Sequence, residues 1–157
     1  MAGILGTMTA EQYMSERVIQ YQTWYDKKAV QSKSAFMNMR AGSVVGAAVV
    51  PVIVNLQIPY VNYLATVISL AVVILVSLDS VYHFGDQWKN YRSTEQFLGR
   101  ERILFATGDG PYRGLDSPAA FLLLVERCES QISTENAATL NVLSIASQRR
   151  TEDSAKD

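Results

Sequence analysis

The sequence predicts an all-α membrane protein: a two-span transmembrane hairpin whose long helices extend into a cytoplasmic helical bundle. Three observations carry this. Residues 41–58 (AGSVVGAAVVPVIVNLQI) and 61–78 (VNYLATVISLAVVILVSL) are apolar and hold no charged side chain, only Pro59 and Tyr60 separate them, and the flanks show no strand signal. At about 1.5 Å per residue, each stretch makes a helix of roughly 27 Å, close to the hydrocarbon thickness of a bilayer. So short a connection forces the spans antiparallel, and a Pro-Tyr pair suits a turn at the aromatic membrane interface. A buried helical pair in a soluble protein is the alternative, but soluble helices of this length normally carry a polar face.

Length and charge exclude several functions. The 157 residues suffice for one membrane module with a soluble extension. With 14 basic and 15 acidic residues the net charge is −1, so no global field recruits nucleic acid, and no nucleic-acid partner is expected. Cys128 is the one cysteine and His83 the one histidine, which leaves no internal disulfide, no zinc-ligand spacing and no expected metal or cofactor. The start MAGILGTMTA lacks a basic region and a long apolar run, unlike a signal peptide.

In chain order, residues 1–8 are expected to be disordered. Thr9 with Gln12 three residues on resembles a capping box that opens a helix over 9–40, because Glu11 to Arg40 contains neither Pro nor Gly. Val18, Tyr21, Trp24 or Tyr25, and Lys28 recur there at helical spacing, which predicts a packed aromatic stripe. In the first span Gly42 and Gly46 form a small-xxx-small pair that lets helices approach closely. Pro51 removes a donor and is expected to kink or loosen the helix, and Asn55 needs a partner at its depth.

The second span presents a polar face. Asn62, Thr66, Ser69, Val73, Ser77 and Ser80 follow steps of 4, 3, 4, 4 and 3 and stack along one side of a helix. They are pore-lining candidates, together with Asp79 at the mouth. Ser and Thr that bond back to their own helix and pack on a neighbour give the competing reading. Beyond the span, a helix is expected over 79–105 with only Gly85 as a breaker, then a turn in TGDGPYRGL without the spacing of a phosphate loop. Ser117 and Pro118 read as N-cap and first position of a last helix over 118–147, with Phe121, Leu124 or Val125, Cys128, Ile132, Leu140 and Leu143 on its apolar face. A charged, disordered tail over 148–157 follows. Lys27, Lys28, Lys33 and Arg40 precede the hairpin, Lys89, Arg92, Arg100 and Arg102 follow it, and the turn between is uncharged, so both termini are expected to be cytoplasmic.

No catalytic constellation is visible, so no enzyme activity is expected. His83 lies about one turn beyond the membrane boundary, as an interfacial packing residue or a proton-sensitive gate. Asp79 either joins its copies in a cation-attracting ring or pairs with a neighbouring Lys or Arg. Trp24, Tyr25, Trp88, Tyr91, Arg92 and Glu95 form a candidate cytoplasmic cluster, in which Arg92 is expected to make a buried salt bridge to another helix, with ligand sensing as the alternative.

Several stretches carry a resemblance: QTWYDKKA (Gln22 to Ala29), QWKNYRSTEQFLGRE (Gln87 to Glu101), GPY (Gly110 to Tyr112), LLVERCES and ISTEN. In this order around a two-span hairpin, they resemble the SLATT family, the two-transmembrane effectors associated with nucleotide-second-messenger systems. Ala137 and Ala138 stand where that family often has a tryptophan. The resemblance implies a multi-pass protein of the bacterial inner membrane that oligomerises into a pore, with a separate sensor protein as a partner in defence. On this reading the chain is a homo-oligomeric channel in membrane lipid with permeating ions, weakly preferring cations. The rival is an adaptor whose hairpin only anchors a cytoplasmic interaction bundle.

Overall fold

The computed structural model describes residues 8–56 and 58–154, with side chains as far as Leu140 apart from Thr139. Most of the expected disordered start over 1–8 lies outside the described residues. Helix α1 runs over Ala10–Val54. It opens on the capping box: Thr9 Oγ accepts from the Gln12 amide, and Gln12 Oε1 accepts from the Thr9 amide. A π-helical turn at Met14–Val18 interrupts it once, with the Ile19 amide reaching back to the Met14 carbonyl. The helix continues through Pro51 but stops at Val54, four residues short of the expected end. Asn55 Nδ2 donates to the Pro51 carbonyl at 2.7 Å, occupying the acceptor that a further turn would use, and Pro59 disfavours helix at the residue before it.

Helix α2 covers Val61–Tyr82 and α3 covers Phe84–Thr107. The expectation of one helix running unbroken out of the second span is therefore wrong at His83, which sits in the left-handed region with φ 49°. Its N–H donates to the Asp79 carbonyl and closes α2, while its own carbonyl accepts from the Asp86 and Gln87 amides and starts α3. Gln87 Nε2 takes the Tyr82 carbonyl freed by the break. Tyr60, at φ 68°, makes a second left-handed joint before α2. A short 3₁₀ turn at Gly110–Tyr112 precedes α4, Ser117–Ser154. Asp116, not Ser117, caps α4: its Oδ1 accepts from the Ala119 amide at 2.9 Å. The expected tail over 148–157 is helical as far as Ser154, and its remainder lies outside the described residues.

The chain forms two compact units, Met1–Ala29 with Lys89–Ser144, and Val30–Trp88 with Ile145–Asp157. The first is a bundle of α1, α3 and α4 around Tyr13, Val18, Tyr25, Leu98, Tyr112, Leu124, Cys128 and Ile132. Leu140, expected on the apolar face of α4, is 66% exposed, and the Leu143 side chain lies outside those described.

The second unit holds the hairpin. A Cβ built on Gly42 would lie 3.2 Å from Leu75, and one on Gly46 would lie 2.5 Å from Val72 and 3.6 Å from Ile68, a descending register that makes α1 and α2 antiparallel. Both helices are long and apolar enough to cross a membrane, and only 6% of either apolar window is buried. That low burial separates them from the core helices of a soluble protein, whose apolar faces are covered. Among the described residues there is no strand.

Candidate functional site

The small residues of α1 decide which side of α2 is covered. Ala65 is buried, Ile68, Ser69, Val72, Leu75 and Leu78 are half-buried, and these positions face the Gly42–Gly46 surface or flank it. Of the polar stripe, Asn62, Thr66, Val73, Ser77 and Ser80 are exposed, and Ser69 alone is partly covered. The stripe is therefore not what α2 uses to pack against α1. Thr66 Oγ donates to the Asn62 carbonyl, Ser69 Oγ to Ala65 and Ser77 Oγ to Val73, at 2.8–2.9 Å. Each hydroxyl proton is spent on its own helix, and the oxygen lone pairs remain as acceptors on the outer surface.

At the end of α2, Asp79 is half-buried and lines a hollow of about 260 Å³ with Arg40, Ser43 and Val76. A cation on α1 thus shares the space of the acid on α2. Gly85 follows the His83 joint where a Cβ would come within 3.1 Å of the Phe36 ring, so the chain leaves the hairpin in close contact with α1. Lys33 Nζ lies 5.5 Å from the Trp88 ring centroid. Trp88 belongs to this unit, whereas Trp24, Tyr25, Tyr91, Arg92 and Glu95 belong to the bundle unit.

In the bundle, α1 and α3 bring the remaining cluster members together. Trp24 and Tyr91 meet edge to face at 5.9 Å, and Tyr25 lies 6.1 Å from Tyr91. Arg92 bridges Asp26 on α1 at 3.0 Å and Glu95 at 3.1 Å, while Gln22 Nε2 donates to Glu95. The interhelical pairing expected of Arg92 is present, but it is not buried: its side chain is 39% exposed and Asp26 51%. Water screens such a pair, and it contributes little to stability.

The buried polar centre lies elsewhere. Glu101 is 1% exposed, yet its carboxylate receives Arg127 Nε at 2.8 Å, Arg127 Nη2 at 2.7 Å and the Tyr112 hydroxyl at 2.6 Å. Burial pushes the Glu101 carboxyl up, but the bonds from Arg127 and Tyr112 outweigh it and hold it below the ordinary value. Glu129 repeats the arrangement with Arg17 Nε and Nη2 at 2.8 Å and the Tyr13 hydroxyl at 3.0 Å. The Arg17 fork holds the Glu129 carboxyl low as well, whereas burial, then the adjacent carboxylate, raise the Tyr13 hydroxyl. Arg17 lies inside the π-helical turn. Glu135, 4% exposed, accepts from the Tyr25 hydroxyl at 3.0 Å.

Apart from Tyr13 and Arg17, these residues fall in the stretches that carry the family resemblance. Tyr25 lies in QTWYDKKA, Glu101 ends QWKNYRSTEQFLGRE, and Tyr112 is the tyrosine of GPY. Arg127 and Glu129 lie in LLVERCES and Glu135 in ISTEN. The stretches were recognisable as strings, but their pairing was not, since the partners stand 11 to 116 residues apart. Cys128 is wholly buried between them, and burial pushes its thiol up to about 12, which keeps it protonated and unreactive. Among the described residues, no group of His, Cys, Asp and Glu is placed to hold a metal ion.

The family model described as "Protein of unknown function (DUF4231)" matches residues 20–120, more than half of the chain and both apolar helices. No curated protein and no solved structure matches. The chain belongs to the DUF4231 family.

Proposed function

We propose that this DUF4231 protein is an oligomeric ion-conducting pore of the bacterial inner membrane, with the polar face of α2 turned towards the conduit and both termini cytoplasmic. The observation that carries the reading is the exposure of the polar side chains of Asn62, Thr66, Ser77 and Ser80, in line with Val73, on a helix otherwise clad mainly in apolar side chains. Polar groups on a span normally turn inward, towards protein or water. Two spans enclose nothing by themselves, so several copies must surround the axis. Outward lone pairs on Thr66 and Ser77 favour cations over anions, and Asp79 adds to this, offset by Arg40. The resemblance to SLATT proteins supports the same assignment, with a separate sensor protein as the activating partner.

The anchoring-adaptor reading draws on the same hydroxyls, because donors satisfied within their own helix also sit acceptably against lipid. Ion flux through liposomes that hold the purified oligomer separates the two. The wild-type chain is expected to pass K⁺, and Thr66→Leu with Ser77→Leu, both at exposed positions, to cut the flux at least tenfold without disturbing the hairpin. Unchanged flux in that variant, or none from the wild-type oligomer under any gating condition, overturns the pore.

A further inference from the structure

Each helix of the hairpin carries a second face, on the side away from the other helix, whose residues repeat as a packing surface does. On α1, Val30, Ser34, Met37, Ala41, Val44 and Ala48 follow steps of 4, 3, 4, 3 and 4, and all are exposed. At 100° per residue they lie about 140° round the helix from Gly42 and Gly46. Small side chains alternate there with larger ones, which lets another backbone approach. On α2, Val67, Leu70, Ile74 and Val81 keep the same repeat and are 63%, 61%, 49% and 45% exposed. They stand about 150° from the positions that face α1 and about 90° from the polar face, so a neighbour seated on them leaves that face open. The first charges outside the spans are Arg40 and Asp79, yet both stripes run past them: Val30, Met37 and Val81 lie on the water side, 53%, 52% and 45% exposed. Acyl chains do not reach those three, so lipid does not account for the stripes.

We propose that the two stripes are the two halves of one interface, the α1 stripe of one copy seated on the α2 stripe of the next. Copies of a membrane protein that share one insertion are related by rotation about the membrane normal, so each residue keeps its depth in every copy. In the hairpin Gly46 packs at the level of Val72, and stepping along both helices from that contact puts Ala48 level with Leu70, Val44 with Ile74 and Met37 with Val81. The same pairs are level between neighbours. Leu70 then enters the space left by Ala48, and Met37 covers Val81 outside the bilayer. Matching steps of 3 and 4 on both sides give the ridges and hollows of left-handed helix packing. Pairing of α1 with α1 would stop at two copies, whereas α1 on α2 leaves a free stripe at each end and repeats until a ring closes. The inference rests on the pore reading only for the presence of several copies round one axis.

The test is disulfide cross-linking of the full chain in proteoliposomes, which reads neighbours and not ions. Cys128 is wholly buried and stays in place. Ala48 and Leu70 point to opposite outer sides of one hairpin, so Ala48→Cys with Leu70→Cys cannot close within a chain. Oxidation of this double variant is expected to give a ladder of dimers and larger species. Either substitution alone is expected to leave monomers, and the two single variants coexpressed to give dimers without a ladder. Ala48→Cys with Val81→Cys, roughly 16 Å out of register, is expected to yield about tenfold less. Val44→Cys with Ile74→Cys repeats the test should the first pair fail to fold. In the Met37→Cys, Val81→Cys variant, adding Ala48→Phe is expected to cut the ladder about tenfold. Monomers alone from the folded double variants, which put lipid on both faces, dimers from either single variant, or equal yield out of register overturn the interface. A ladder without ion flux supports the interface and overturns the pore alone, and flux without a ladder does the reverse.

Discussion

In the bundle unit the largest wholly buried side chains are Tyr25, Leu98, Leu124 and Val18, with Glu101, Thr94 and Cys128 among them. In the hairpin unit, by contrast, Val44, Val52, Val67 and Leu70 are more than 60% exposed, and the buried apolar positions among the described residues are Ile53 and Ala65. The first pattern is that of a fold made in water, where removing apolar area is the driving force and each carboxylate taken inside needs a partner. The second suits a solvent as apolar as the side chains themselves, where nothing is gained by hiding valine and helices hold by close approach at small residues. Gly46 and Arg127 thus do the same job in different media.

Substitutions that remove one device at a time sharpen this contrast. The largest effect is expected in the bundle. Arg127→Met leaves the Glu101 carboxylate buried without its cation, at a cost of about 3–5 kcal/mol, a large share of a typical domain's stability. Urea unfolding followed by circular dichroism reads it, and pairing the change with Glu101→Gln should recover part of the loss.

Acid acts on the same groups more gradually. Glu101 and Glu129 have folded pKa values below their unfolded ones, so the unfolded chain takes up protons first as the pH falls. Their contribution is fully present above the unfolded value of about 4.3 and is lost as pH drops through the lower folded values. The unfolding midpoint should be flat with respect to these two groups between neutrality and about pH 5 and should fall below about pH 4. Arg17→Met should flatten the part owed to Glu129.

In the hairpin, Gly46→Leu forces a side chain into the space of Val72, with an expected cost of about 1–3 kcal/mol in thermal unfolding in bicelles. Gly46→Ala should cost less, because one methyl displaces less than a leucine side chain, but it still carries a cost, since Val72 is held in one rotamer by its β-branching and must shift bodily. The smallest effect has the opposite sign. His83→Gly relieves a left-handed residue and should stabilise the joint by about 0.5–1 kcal/mol, where His83→Ala does not. Slower hydrogen exchange at the Asp86 and Gln87 amides, which bond to the His83 carbonyl, checks it.

The two apolar helices, the antiparallel hairpin and the capping box at Thr9 were legible because each is written in residues within a few positions of one another. The stripe over Val18 and Tyr25 was legible as a period, although the period left Trp24 and Tyr25 as alternatives. Packing chose Tyr25, and Trp24 was left on the wall of a hollow. The break at His83 had only Gly85 as a sign, because a left-handed histidine is set by what the next turn and Phe36 require. Arg92, expected to make the buried ion pair, is instead open to water, and the buried pair is that of Glu101, which no local pattern marks.

Taken alone, the sequence determined the medium of each segment, since uncharged runs of this length and helical periodicity follow from local composition. Tertiary structure decided which charges go inside and which face of α2 stays open. Glu101 meets Arg127 across 26 residues and Glu129 meets Tyr13 across 116, distances over which a chain carries no local record of its partners. The outer face of α2 is likewise fixed by where Gly42 and Gly46 admit Leu75 and Val72, a contact between two helices that neither span specifies by itself.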